Sequence, residues 1–381
     1  MPVAYIIALH VFTMTNVHAT RTLLTLYAIN LGAEPIIIGL LAAAFGLIPI
    51  LFSWVSGRLA DRFGSRWIML FGIAVCAIGM LLPAFIPSVT VIIIAGVLSG
   101  TSTTFCTVSL QTLVGLLSKQ ETRARNYANF SLAGAVTNFL GPMIAGFSID
   151  LAGYHNTCLL MVGIALIPLL MLLLKGQGLP AGSGHAAPAG SLRETLAVPG
   201  VWRALAASAI GQTGGDLLQF YMPVHAHAAG LSASMIGIVL AAFAAAQFVA
   251  RLALAPLVAR SNEETVLAYG FAVGAVAFVL APMTGTAATI GMVSFLLGLG
   301  LGCARPISMM LMFAHAAGGR SGEAMGLRLT AENLTRLAAP LLFGMVASTA
   351  GLAVVFWLNA VMLGSGGAYM RHGSTTRRSR P

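Results

Sequence analysis

Apolar runs separated by short polar breaks fill this chain. A helix that crosses a membrane needs about 20 mostly apolar residues. Twelve runs meet that need: 3–30, 35–60, 66–86, 89–117, 124–149, 152–174, 199–229, 232–259, 265–283, 288–316, 322–349 and 351–370. These are spans 1 to 12, and they predict an all-α polytopic membrane protein with 12 transmembrane helices. Glycine (43) and proline (16) are abundant, as expected where small residues let helices approach closely.

The runs are duplicated. Shifted against itself by 198 residues, the chain aligns Ile38-Gly39 with Ile236-Gly237 and Ala43-Ala44-Phe45 with Ala241-Ala242-Phe243. Without a gap, Gly32 meets Gly230, Gly72 meets Gly270, Gly100 meets Gly298, Pro142 meets Pro340 and Gly146 meets Gly344. Shared hydrophobicity alone does not hold one ungapped register through so many helix pairs. The repeat predicts two six-helix pseudo-symmetric bundles, 1–175 and 199–370. Between them lies a Gly/Ala/Pro-rich cytoplasmic linker, 176–198, and a basic tail, 371–381, follows. Parallel repeats imply a pseudo-twofold axis along the membrane normal, with the substrate path between the halves.

Charge orients this arrangement. Only 8% of residues are charged, against about 25% in soluble domains. Fifteen of the 20 Lys and Arg fall after spans 2, 4, 6, 8 and 10 or in the tail, and the opposite loops hold none. By the positive-inside rule both termini are cytoplasmic. The net charge of +10 sits in short loops and a tail with no basic domain. It therefore suits contact with anionic lipid and argues against nucleic acid. The first span lacks the basic start and cleavage site of a signal peptide. Cys76, Cys106, Cys158 and Cys303 lie inside spans at unrelated spacings, so neither a disulfide framework nor a metal site is expected. No phosphate loop, zinc-protease motif or nucleophile elbow is present. The expectation is a protein that is not an enzyme and uses no cofactor.

After span 2 comes Gly57-Arg58-Leu59-Ala60-Asp61-Arg62-Phe63-Gly64-Ser65-Arg66. This loop resembles the GxLaDrxGxR motif of the major facilitator superfamily, and the resemblance covers essentially the whole chain. It implies a secondary transporter working by alternating access, an architecture that needs no partner, so a monomer is expected. The compact chain without long loops points to a bacterial inner membrane. It also implies that spans 1, 4, 7 and 10 line the cavity, with 5 and 11 contributing. The motif has a physical reading too. Gly57 and Gly64 allow close packing and a turn. Asp61 can accept from free N–H groups where span 11 starts and pair with nearby arginines. Gly57, Asp61, Arg62, Gly64 and Arg66 are thus the expected cytoplasmic latch. Gly141-Pro142 partly resembles the superfamily's antiporter motif, but Thr137 replaces a glycine and Gly96 stands where exporters usually carry an arginine.

Seven charges lie inside spans: Arg21, Asp216, Arg251, Arg305, Arg328, Glu332 and Arg336. Each costs about 2.5–3.5 kcal/mol at mid-bilayer on insertion scales. His18, Arg21, Thr22 and Thr25 form one stripe on span 1, and Gln212, Asp216 and Gln219 another on span 7. Span 4 offers Thr107 and Gln111, and span 5 offers Asn138. The planar guanidinium suits carboxylate or phosphate. Arg21, Arg305 and Arg336, deep in their spans, are therefore read as binding a small organic anion, with His18, Gln219, Gln111 and Asn138 assisting. Asp216 and Glu332 are the proton-coupling candidates. Arg251 and Arg328, nearer the cytoplasmic end, are read as snorkelling or gating. A closed network, with Arg328 and Arg336 on Glu332 and Arg21 on Asp216, is the structural alternative for these charges. The alternative function is a proton-driven exporter of drugs or other amphipathic compounds.

Overall fold

The computed structural model describes residues 3–118, 123–179, 198–315 and 321–378. It is helical, with α1 Val3–Asn30, α2 Pro35–Phe63, α3 Ser65–Phe85, α4 Val89–Leu117, α5 Arg123–Lys175 and α6 Pro199–Ala228. The others are α7 Ala233–Arg260, α8 Glu263–Leu280, α9 Ala287–Leu301, α10 Ala304–His315, α11 Ser321–Ala350 and α12 Leu352–Arg378. No strand occurs among the described residues.

Spans 5 and 6 are two helices, as predicted, that meet at a kink at the non-helical Gly153 (φ 75°, ψ 172°); α5 denotes the pair. One departure from the predicted spans, at span 10, has a local cause. Span 10 is split into α9 and α10 at Gly302-Cys303. Pro306 explains the split: it has no N–H to give the Gly302 carbonyl four residues earlier. The backbone at Gly302 stays helical (φ −61°, ψ −31°), so the hydrogen-bond ladder is interrupted while the helical path continues. Most of the linker, 180–197, and the tail residues 379–381 lie outside the described residues.

Among the described residues, nine segments are long and apolar enough to cross a membrane. One of them, Asn129–Lys175, holds spans 5 and 6. The long helices that miss the threshold are α6 and α11, which carry Asp216 and the Arg328, Glu332 and Arg336 group. Their polar residues lower the mean hydropathy without shortening the helix.

The chain divides into two compact units: Met1–Ala186 with Ser232–Ala241, and Ala187–Leu231 with Ala242–Pro381. In the first, α1 packs extensively along α5, and α4 against α2 and α3. Its core includes Ile6, Leu9, Met69, Ile73, Leu110 and Leu113. A Cβ on Gly141 would lie 2.5 Å from His18 Cβ, so α5 crosses α1 almost backbone to backbone. Asp150, near the middle of α5, accepts from the N–H groups of Ala233 (3.1 Å) and Ser234 (2.8 Å). It thereby satisfies two orphan donors at the start of α7, where negative charge is also favoured by the helix dipole. In the second unit, α6 packs against α10 and α11, and α8 against α12 and α9.

The sequence repeat is also a repeat of contacts. A Cβ on Gly100 would sit 2.9 Å from the Phe45 carbonyl oxygen; one on Gly298 would strike the Phe243 carbonyl, its counterpart 198 residues on. Gly72 abuts Ser102 Cα (3.3 Å), and Gly270 abuts Gly300. Gly32 and Gly230 share a positive φ (77° and 80°), as do Gly153 and Gly351 (75° and 89°). L side chains avoid that region, so both units turn at the same two glycines.

Gly298→Ala should therefore destabilise the protein by about 1–3 kcal/mol through overpacking, read as a lower unfolding temperature in detergent. Gly163→Ala, where a Cβ meets nothing within 4 Å, should change stability by at most about 1 kcal/mol, in the favourable direction.

Candidate functional site

The charged interior of the second unit is built on three helices. Ser208, Gln212 and Asp216 recur every fourth residue on α6 and so share one face. α11 sets Arg328, Glu332 and Arg336 on one face in the same way. α10 contributes Arg305 and Ser308.

Glu332, 5% exposed, is held by two groups. Arg328 Nη1 donates to its Oε1 at 2.5 Å, and Ser208 Oγ donates to the same oxygen at 2.6 Å. Arg328 also reaches Ser208 Oγ (3.1 Å) and Ser308 Oγ (3.5 Å). Arg305 and Arg336 add their positive fields at the carboxylate. The expectation that Arg328 snorkels does not hold in this structure. It is 3% exposed and bound to Glu332 four residues along its own helix. The reason is energetic: a buried guanidinium one turn from a buried carboxylate gains more by pairing than by stretching toward the membrane surface.

Arg251 has a different partner. Its Nε donates to the Gly302 carbonyl at 3.3 Å, the acceptor that Pro306 leaves without an N–H. Beside it Cys303 Sγ donates to the Ala250 carbonyl at 3.3 Å.

Arg305 is exposed, and its Nη2 donates to Gln212 Oε1 at 3.1 Å. Gln212 Nε2 donates in turn to Asp216 Oδ2 at 2.9 Å, and Asp216 is 3% exposed. Arg336 is half-buried, and its Nε is buried with no hydrogen-bond partner among the described residues. Gln219 is half-buried on the same helix as Asp216.

In the first unit, Arg21 is half-buried with its guanidinium carbon 5.3 Å from the centre of the Phe45 ring, a cation–π arrangement. His18 is half-buried against Gly141. The rest of the predicted stripe is internally satisfied: Thr22 Oγ1 donates to the His18 carbonyl (3.3 Å) and Thr25 Oγ1 to that of Arg21 (2.9 Å). Asn138 Nδ2 likewise donates to the Gly134 carbonyl (3.1 Å). Gln111 is exposed on α4.

Of the latch residues, Gly57, Asp61 and Arg62 fall within α2, but their side chains lie outside the described residues. Gly64 makes the turn between α2 and α3 with φ 83°. Arg66 donates from Nε and Nη2 to the Leu172 and Leu173 carbonyls, both at 3.0 Å. Arg66 thus caps the last turn of α5 within its own unit.

Sequence reasoning missed Ser208 and Ser308, which share the Arg328–Glu332 pair, and the bridging role of Gln212. The four-residue spacing from Ser208 to Gln212 to Asp216 was the available signal. Pro306, four residues after Gly302, was the signal for the free carbonyl.

Duplicated helical halves that cross a membrane and bury arginines and carboxylates between their helices define a secondary transporter, not an enzyme. The chain belongs to the Major Facilitator Superfamily, whose family profile matches residues 6–316 and 204–381. It is similar to the quinolone resistance protein NorA of Staphylococcus aureus, 27% identical over 129 residues, or 34% of this chain and 33% of NorA. The chain thus spans about a third of the length of that curated relative. The nucleoside transporter NupG, solved as a mutant, superposes with a TM-score of 0.81 at 12% identity, covering 97% of this chain and 99% of that one. A bacterial homolog of the human lysosomal transporter Spinster gives 0.77 at 15% identity, covering 98% and 97%. At such identities the two structures show a common fold.

Glu332→Gln should leave Arg328 as an uncompensated buried charge and cost about 3–5 kcal/mol, seen as a large drop in unfolding temperature. Adding Arg328→Met should restore much of that loss, because the pair is then removed together.

Proposed function

We propose that this protein is a proton-coupled transporter of a small organic anion, acting as a monomer in a bacterial inner membrane with both termini cytoplasmic. The observation that carries this reading is the allocation of arginines in the second unit. Well inside the spans of that unit four guanidiniums, Arg251, Arg305, Arg328 and Arg336, stand against two carboxylates, Asp216 and Glu332. Arg328 is committed to Glu332 and Arg251 to a backbone carbonyl. Arg305 donates to a neutral amide, and Arg336, like Arg328, keeps a buried Nε without an acceptor among the described residues. Arg305 and Arg336 both add to the field at Glu332, but the ion pair to it is made by Arg328. Two guanidiniums left so in a membrane protein support capture of an anion, which each can grip through paired N–H groups.

In this reading Arg305 and Arg336 bind the anion from the second unit, with Gln219 nearby. Arg21, His18, Gln111 and Asn138 are the first unit's contribution. Asp216 and Glu332 are the carboxylates available for proton coupling. Glu332 is held by Arg328 and Ser208, whereas the hydrogen bond to Asp216 comes from a single amide. Alternating access, general to the superfamily, carries the cargo across. The latch of Gly57, Asp61, Arg62, Gly64 and Arg66 biases the cytoplasmic side.

The likeness to NorA favours a second reading, export of drug-like amphipathic compounds. The two readings separate in one binding assay. A ligand that binds only the folded state stabilises it by about 2.7 kcal/mol at 100 times its dissociation constant. Under the anion reading, carboxylates or phosphorylated metabolites raise the unfolding temperature, and Arg305→Ala or Arg336→Ala abolishes the rise. Arg251→Ala lowers basal stability but keeps the ligand-induced rise. Stabilisation by lipophilic cations alone would give the protein to the exporter reading.

A further inference from the structure

The interior contacts of the second unit have counterparts in the first, and the differences single out Gln212. At the 198-residue shift, Gln212, Asp216 and Arg305 stand where the first unit has Met14, His18 and Thr107. One contact is preserved in place. Thr107 Oγ1 donates to Met14 Sδ at 3.9 Å, where Arg305 Nη2 donates to Gln212 Oε1 at 3.1 Å. A thioether ends the chain of contacts there. An amide extends it, because it has an acceptor at one end and a donor at the other. Gln212 uses both, since its Nε2 donates to Asp216 at 2.9 Å.

We propose that Gln212 is a positioning residue that links an anion on Arg305 to a proton on Asp216, so that cargo and proton bind together. This rests on the anion reading above and deepens it. The amide is rigid and planar, so its two ends cannot respond independently. Without cargo, Arg305 fixes Oε1 and thereby aims Nε2 at Asp216. A carboxylate or phosphate oxygen is a stronger acceptor than an amide oxygen. It takes the Nη2–H donor, displaces Oε1 and turns the amide away from Asp216. The buried carboxylate has then lost its donor, a costly state, and one proton from the aqueous phase neutralises it. For a monoanion the net charge of the site is unchanged: one negative charge arrives on the cargo and one is removed at Asp216.

The charged groups on helices packed against α6 fit this assignment. α10 brings Arg305, α11 brings Arg328, Glu332 and Arg336, and α9 brings none. The charged residues of α12 are confined to its last third, from Arg371 onward. On α6 itself, Arg203 is paired with Glu264 at 3.3 Å. Ser208 also bridges an arginine and an acid, but Arg328 and Glu332 are paired directly as well. Among the hydrogen bonds named above, Gln212 joins an arginine to an acid that the arginine itself does not touch.

The test uses the purified full chain with succinate, benzoate and inorganic phosphate as binding probes, and reads proton uptake and the pH profile with benzoate, which stays a monoanion across the pH range used. Binding is read by thermal stabilisation from mildly acid to mildly alkaline pH, and proton uptake by an indicator dye in weak buffer. The wild type should take up about one proton per bound anion, its affinity falling about tenfold per pH unit where the unliganded carboxylate is ionised. Gln212→Met, which installs the first unit's residue, should still bind the probe but without proton uptake and with a flat pH profile. Gln212→Leu should behave alike and serves if the first variant does not fold. Wild-type proton uptake in both variants would overturn the role of Gln212 while leaving the anion reading intact. A wild type that binds an anion without taking up a proton would overturn the linkage alone. A wild type that binds none of the three would remove the anion reading and this inference with it.

Discussion

Inside a bilayer a polar group has no water to turn to, so each one carried there must find its partner within the protein. Glu332 shows how far this constraint reaches. Its charge is met by Arg328 from the same helix and by Ser208 from α6. Ser308 on α10 then takes a share of Arg328. One buried carboxylate thus fixes the rotation of α6, α10 and α11 about their own axes. Arg251 follows the same rule with a backbone acceptor in place of an acid. Once these demands are met, the groups left over define what the interior can bind.

Much of the fold was legible because the repeat is written in positions that tolerate no substitute. A glycine with positive φ, or one lying against a neighbouring backbone, is fixed by geometry. Gly32 and Gly230, or Gly100 and Gly298, therefore mark both sequence and structure at the same offset. Hydrophobic length located the remaining helices. It also found the two helices that meet at Gly153, where a single residue makes the turn.

The site was less legible, for a reason of direction. Spacing tells which residues share a helical face; it does not tell whether a side chain turns outward or back onto its own helix. Thr22, Thr25 and Asn138 turn back to carbonyls one turn earlier. Arg328 lay at a depth from which snorkelling is feasible, and only the position of Ser208 and Ser308 shows why it stays inside. Depth in the sequence could not divide the arginine paired with an acid, Arg328, from those that donate to a carbonyl or an amide, Arg251 and Arg305.

The repeat also exposes a pair of matched trios. Ser208, Arg328 and Glu332 occupy the positions that His10, Phe130 and Gly134 hold in the first unit. There the His10 and Phe130 rings lie 4.0 Å apart, and His10 Nε2 would be 3.4 Å from a Cβ on Gly134. Ring against ring beside a glycine fills the volume that a hydroxyl, a guanidinium and a carboxylate fill in the other unit. Neither trio accepts a member of the other: an arginine facing His10 would have no acid, and a phenylalanine facing Glu332 would leave that acid bare. If the two units descend from one duplicated ancestor, these three positions could not have diverged independently. They form an epistatic set, in which the ancestral state constrained which residue could change first.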